Sequence, residues 1–169
     1  PRRGSDTHIF APISGPLATR LKLIRTVIPV LTRLETKGIV SLGTLDSTVT
    51  KRSGNCEVHS WLSGEQRDKF MRDARIIIFS GGHGTCFETT KYAKPSVCIP
   101  TQPEQMGNAK KLQELGGSIS AENQAELKSA IEEIESKFER YKQNVGRLAD
   151  YSRKFKGLDN ALRTVEDTI

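Results

Sequence analysis

Two hydrophobic rhythms alternate along the chain. Short apolar runs stand at I-F-A-P-I-S (9–14), I-V-S-L (39–42), C-E-V-H-S-W-L (56–62), R-I-I-I-F-S (75–80), S-V-C-I (96–99) and in G-G-S-I-S (116–120). Bounded by Gly, Pro and Ser, these predict six strands. The run at 75–80 is apolar without alternation, as a central parallel strand covered on both faces must be. Between the runs the spacing changes to three and four. Leu17, Leu21, Ile24, Ile28, Leu31 and Leu34 predict a helix that Gly38 stops, kinked at Pro29 because its ring displaces the Arg25 carbonyl. Ser63 with Gln66 forms a capping box and starts a helix to about Ala74. Further helices are expected up to about Tyr92 and from about Glu104 to Leu115. The stretch 44–55 reads as a polar connection.

From Asn123 onward everything is expected to be helical, with a second capping box at Asn123 and Glu126. Leu127, Ile131, Ile134, Phe138, Tyr141, Val145 and Leu148 follow four- and three-residue steps, which also suit a coiled-coil seam. One long helix laid on the sheet is the favoured reading, because Gly146 interrupts the heptads and charges flanking the seam are unsystematic. Strand-helix alternation makes the fold α/β: a Rossmann-like open parallel sheet of about six strands flanked by helices, with a helical C-terminal segment. The 169 residues suit a single domain spanning 1–169.

Composition narrows this picture. Hydrophobic residues make up 36% and charged residues 27%, the mixture of a soluble globular domain. No apolar run approaches the roughly 20 residues of a membrane span. The chain starts at P-R-R-G-S-D-T-H without Met, which suggests an entry point into a longer polypeptide. The net charge of +6 is spread widely, with Arg2, Arg3, Arg20, Lys22, Arg25, Arg33, Lys37, Lys51 and Arg52 making the first third the most basic. That balance favours anionic partners such as phosphates or an acidic membrane surface. Only 6% of residues are aromatic and none interleave with basic ones, so no nucleic acid is expected. Cys56, Cys86 and Cys98 are too few for a disulfide framework and point to a reducing, cytoplasmic setting. Cys56–His59 and His83–Cys86 imitate a zinc quartet. However, strand positions three apart face opposite ways, so no metal is expected.

The candidate chemistry lies in F-S-G-G-H-G-T-C-F-E (79–88), at the carboxyl end of the strongest strand, where open parallel sheets collect ligands. Gly81, Gly82 and Gly84 let backbone N–H groups approach a ligand. Thr85 can cap the next helix, whose positive end attracts phosphate. Glu88 has two readings: partner of Thr85 in a capping box, or acceptor for a pair of sugar hydroxyls. His83 can touch phosphate or simply face water. Cys86, near a helix start, can have a lowered pKa.

Reading on to G-T-C-F-E-T-T-K-Y-A-K-P-S-V-C-I-P-T-Q-P-E-Q-M-G-N-A-K-K-L-Q-E-L-G, the chain resembles the nucleotide-sugar half of GT-B glycosyltransferases, above all the family 28 C-terminal domain. The resemblance is carried by Gly84, Thr85, Glu88, Lys94, Pro95, Ile99, Pro100, Glu104, Gln105, Asn108, Ala109, Leu112 and Gly116, at the family's spacing. It departs at Ser80, where many relatives have His, and at Ala93, where Gly is usual. The resemblance implies a domain binding a UDP-sugar, such as UDP-N-acetylglucosamine or a UDP-hexose. The Gly84–Thr85 helix start would hold pyrophosphate, completed by Ser14 and Gly15. Glu88 would hold the ribose, Trp61 and Leu62 would lie beside uracil with their backbone groups pairing it, and Glu104 and Gln105 would face the donor sugar with Asn108 supporting them. No cofactor is implied, since helix dipole and backbone donors stabilise the leaving UDP. A separate N-terminal domain or subunit would bring the acceptor and the general base, so this chain alone would transfer nothing. A lipid-linked acceptor would place it at a membrane periphery. A UDP-sugar 2-epimerase and a non-catalytic nucleotide-binding module remain open as alternatives.

Overall fold

The computed structural model describes residues 6–44 and 50–155, together with residues 157 and 166. Arg2, Arg3, part of the 44–55 connection and most of the helical reading beyond 155 lie outside the described residues. The elements are β1 (His8–Pro12), α1 (Leu17–Leu31), β2 (Gly38–Ser41), β3 (Thr50–Ser53), β4 (Cys56–His59), α2 (Gly64–Asp73), β5 (Ala74–Phe79), α3 (His83–Lys91), β6 (Ser96–Cys98), α4 (Pro103–Glu114), β7 (Ser118–Ser120), α5 (Gln124–Ser136) and α6 (Phe138–Ser152). One sheet runs in the order β3-β4-β2-β1-β5-β6-β7. Every pairing is parallel except β3 with β4.

The sheet therefore has one strand more than expected. β3 is T-K-R-S and wholly exposed, so no apolar rhythm marks it. What makes it a strand is the turn beyond it. Gly54 sits at φ +55, where an added Cβ would meet the Thr32 carbonyl oxygen at 2.5 Å, so only glycine folds the chain back onto β4.

β5 explains its own unbroken apolar run. Ile76 and Ile78 join one core cluster with Leu23, Val27 and Leu31 of α1 and Leu127, Ile131 and Ile134 of α5. Ile77 and Phe79 join the other, with Met71 of α2, Leu62 and Ala109 of α4. Successive side chains go to opposite faces, and both faces are covered. Cys56 belongs to the first cluster, whereas His59 packs against Phe70 on the other side. The two therefore diverge, as the strand alternation requires.

α1 continues through Pro29 to Leu31 and ends well before Gly38, which is the first residue of β2. Proline leaves the Arg25 carbonyl without its usual N–H four residues on. Gln124 Nε2 donates to that oxygen at 2.9 Å and ties α5 to α1.

The long C-terminal helix is two helices. The break falls at Lys137 (φ −122, ψ 28), and Gly146 lies inside an uninterrupted α6. Breaking there lets Phe138 enter the core beside Ile134, with the Arg75 guanidinium 3.6 Å from its ring centre. The heptad seam is consumed within the domain, since Leu127, Ile131, Ile134, Phe138 and Val145 are buried, and a coiled-coil partner has little left to grip. Among the described residues no helix is long and apolar enough to cross a membrane.

His8 opens β1 at the other end of the sheet from the glycine loop. Its Nε2 donates to the Phe70 carbonyl at 3.1 Å, and Nδ1 meets the Thr7 hydroxyl at 3.0 Å. Burial, opposed by that carbonyl bond, holds the imidazole below its ordinary pKa of 6.5. The unfolded chain thus binds the proton more readily than the folded one. Stability should be full above pH 6.5 and fall as pH drops from there through the folded value. Melting temperatures between pH 7.5 and 5 will show this slope, and His8→Gln should flatten it.

Candidate functional site

Strand order reverses between β1 and β5. From β1 the chain goes through α1 to β2; from β5 it goes through α3 to β6, on the opposite face. The diverging connections open a crevice above the carboxyl ends of these strands, the place where doubly wound sheets take ligands. Loops 13–16, 60–63, 80–82 and 99–102 all emerge at this end. Ser14, Gly15, Trp61, Leu62, Gly81, Gly82, His83, Gly84, Thr85, Glu104, Gln105 and Asn108 are therefore brought to one rim. Leu62 is part of the core, which leaves only its backbone for a ligand. Trp61 is 44% exposed, so its ring is accessible.

The start of α3 differs from the sequence reading. Gly82, not Thr85, is the N-cap, and the first helical bond runs from Cys86 N–H to the Gly82 carbonyl at 3.0 Å. Thr85 is the buried third residue of the helix, and Glu88 lies a full turn beyond the first. A Thr85–Glu88 capping box is ruled out. The helix starts early because Gly82 takes an extended conformation with no side chain to place. In consequence the N–H groups of His83, Gly84 and Thr85 have no acceptor within the helix and carry its positive end. A Cβ built on Gly84 would meet nothing within 4 Å, so the first turn is open to an approaching group.

The loop before it is held rigidly. Gly81 has φ +89, and a Cβ there would meet the Gln105 backbone oxygen at 2.8 Å. Asn108 Nδ2 donates to the Gly81 carbonyl at 2.8 Å. Gln105 is buried, and its Oε1 accepts from the Thr101 N–H (3.0 Å) and hydroxyl (2.9 Å). The Thr101 hydroxyl in turn meets that of Thr19 at 2.8 Å, while Lys22 Nζ donates to the Pro100 carbonyl at 3.3 Å. Both walls of the crevice are thus tied through the loop after β6. Thr19 and Thr101 carried no signal in the sequence beyond lying near Gly15 and in P-T-Q-P.

At the mouth, His83 Nδ1 lies 2.9 Å from Glu104 Oε1, both side chains being more than half exposed. The helix start does not lower the Cys86 pKa: burial pushes the thiol up to about 11, aided by the nearby Glu104 charge. Glu88 has a partner that sequence reasoning missed. Arg67 of α2 meets it with a two-pronged pair: Nη1 to Oε1, and Nη2 to Oε2 at 2.6 Å. That hydrogen bond, with the carboxylate's charge, raises the guanidinium's pKa against a burial penalty.

Residues 22–162 match the family profile described as the glycosyltransferase family 28 C-terminal domain. The chain belongs to this family. Among solved structures it resembles the glycotransferase of kitacinnamycin, with 20% identity and a TM-score of 0.77 over 99% of this chain and 45% of that one. It also resembles the spinosyn rhamnosyltransferase SpnG complexed with thymidine diphosphate, at 17% identity and TM-score 0.78, covering 98% and 46%. A third is SsfS6 from Streptomyces sp. SF2575, again complexed with thymidine diphosphate, at 17% and 0.72, covering 95% and 41%. The fold of this family 28 domain is that of the C-terminal half of a GT-B glycosyltransferase, and the chain spans less than half the length of these structures. No curated protein gives a significant match.

Proposed function

We propose that this family 28 domain binds the nucleoside diphosphate sugar of a two-part glycosyltransferase that moves a hexose or N-acetylhexosamine from UDP to an acceptor hydroxyl. The observation carrying the reading is the open first turn of α3, pinned at a sheet's switch point with three N–H groups that have no acceptor within the helix, the arrangement that attracts an anion. In this assignment the pyrophosphate takes the N–H groups of His83, Gly84 and Thr85, with Ser14 and Gly15 opposite. Glu88 accepts from the pentose, and the base lies by Trp61 and the backbone of Leu62. Glu104 and the amide NH₂ of Gln105 face the sugar, and Asn108 supports them through its bonds to the Gly81 carbonyl and Glu104. Charge developing on the leaving diphosphate meets the helix dipole and backbone donors. A partner domain supplies the acceptor and the base.

Calorimetry of the 169-residue chain with UDP, TDP and ADP tests the assignment. Tighter binding of UDP than of ADP is expected. Equal affinity for the two would remove the base assignment, and tighter binding of TDP would replace uracil with thymine, the base in the SpnG and SsfS6 complexes.

A further inference from the structure

The Glu88 carboxylate meets Arg67 as a fork, each guanidinium nitrogen facing a different oxygen. Two parallel bonds of this kind take the convergent lone pair of each oxygen. Each oxygen keeps one further lone pair, and these two point away from each other. A vicinal diol needs two convergent acceptors to be held by one carboxylate, and Glu88 no longer presents them.

The fork is also anchored. The next residue, Asp68, accepts from the Tyr92 hydroxyl, so α2 and α3 are joined at two successive points. Asp68 further holds Arg72 at 3.7 Å. Arg67 and Glu88 side chains are each about a third exposed, enough for a ligand to reach the carboxylate from one side.

We propose that Arg67 is a specificity-determining residue of the donor site: by occupying the chelating edge of Glu88 it limits that carboxylate to one pentose hydroxyl. The site then reads one of the two vicinal hydroxyls and tolerates loss of the other. This rests on the donor-site reading above.

The test compares UDP, 2′-deoxy-UDP and 3′-deoxy-UDP by calorimetry, on the native 169-residue chain and on Arg67→Met. For the native chain, one deoxy analogue should bind about tenfold more weakly than UDP and the other within about threefold, the scale of one hydrogen bond to a charged group. In Arg67→Met the edge of Glu88 is released, and both analogues should fall behind UDP. Arg67→Lys, which keeps the charge but not the fork, should move the same way and serves if the Met variant does not fold. The inference is overturned if the native chain penalises both analogues equally, or if the variants keep the native profile. UDP binding with no penalty for either analogue would remove Glu88 from the pentose and this inference with it, leaving the phosphate assignment standing. No UDP binding at all would instead remove the donor-site reading.

Discussion

Glu88→Gln is expected to weaken UDP binding by about tenfold to a hundredfold, the cost of turning a charge-assisted bond to a sugar hydroxyl into a neutral one, roughly 1.5–3 kcal/mol. The substitution has a second, smaller effect. An amide offers one acceptor oxygen, so it cannot complete the fork with Arg67. Because both side chains are about a third exposed, water screens the pair, and its loss should cost at most about 1 kcal/mol of stability. The two effects separate cleanly when affinity and melting temperature are measured on the same preparation. A lowered melting temperature with unchanged affinity would make Glu88 a strut between α2 and α3 and nothing more.

A large stability effect within the site should come from Gly81→Ala. The backbone there has φ +89, outside the region an L-residue reaches comfortably, and the new Cβ would lie 2.8 Å from a backbone oxygen of α4. Neither atom is the free end of a flexible side chain, so the loop or the helix must shift. A loss of about 2–3 kcal/mol is expected, seen as a fall of several degrees in melting temperature. Moving the loop also breaks the bond from Asn108 and misplaces the N–H groups of α3, so nucleotide affinity should drop as well. Gly84→Ala is the control. Its Cβ meets nothing within 4 Å and alanine favours a helix, so stability should hold or rise while UDP affinity falls, if phosphate packs there. Parallel losses of stability in both variants would mean that Gly84 is a structural position like Gly81.

Those two glycines show what was legible in the sequence. Three glycines after a non-alternating apolar run fixed the loop, the strand before it and the helix after it, because each signal is local. Ser63 and Gln66 likewise marked the start of α2, with both capping bonds present. Cap assignment at α3 failed because glycine leaves no side-chain signature, and Thr85 offered a false one. β3 was hidden because its residues are polar and its stability comes from β4 and a glycine turn. The break at Lys137 follows from where Phe138 must pack, a tertiary demand that outweighs a continuous helical rhythm. Arg67 and Glu88 are 21 residues apart on separate helices, and only the packing of α2 on α3 joins them. The rim of the site was readable from a motif; the contacts that tune it were not.

The sheet's outer strand has a further bearing, on how the chain behaves at high concentration. An unpaired strand edge is a template on which another copy can polymerise, and a parallel α/β sheet has two. At one end β7 is only three residues long, too short to seed a lasting ladder. At the other, β3 presents Lys51 and Arg52, both exposed, in the middle of its four residues. A second copy docking there antiparallel would set lysine and arginine against arginine and lysine, an arrangement cross-strand pairing penalises. The strand that was hardest to see in the sequence thus carries the charges that disfavour edge-to-edge pairing with a second copy.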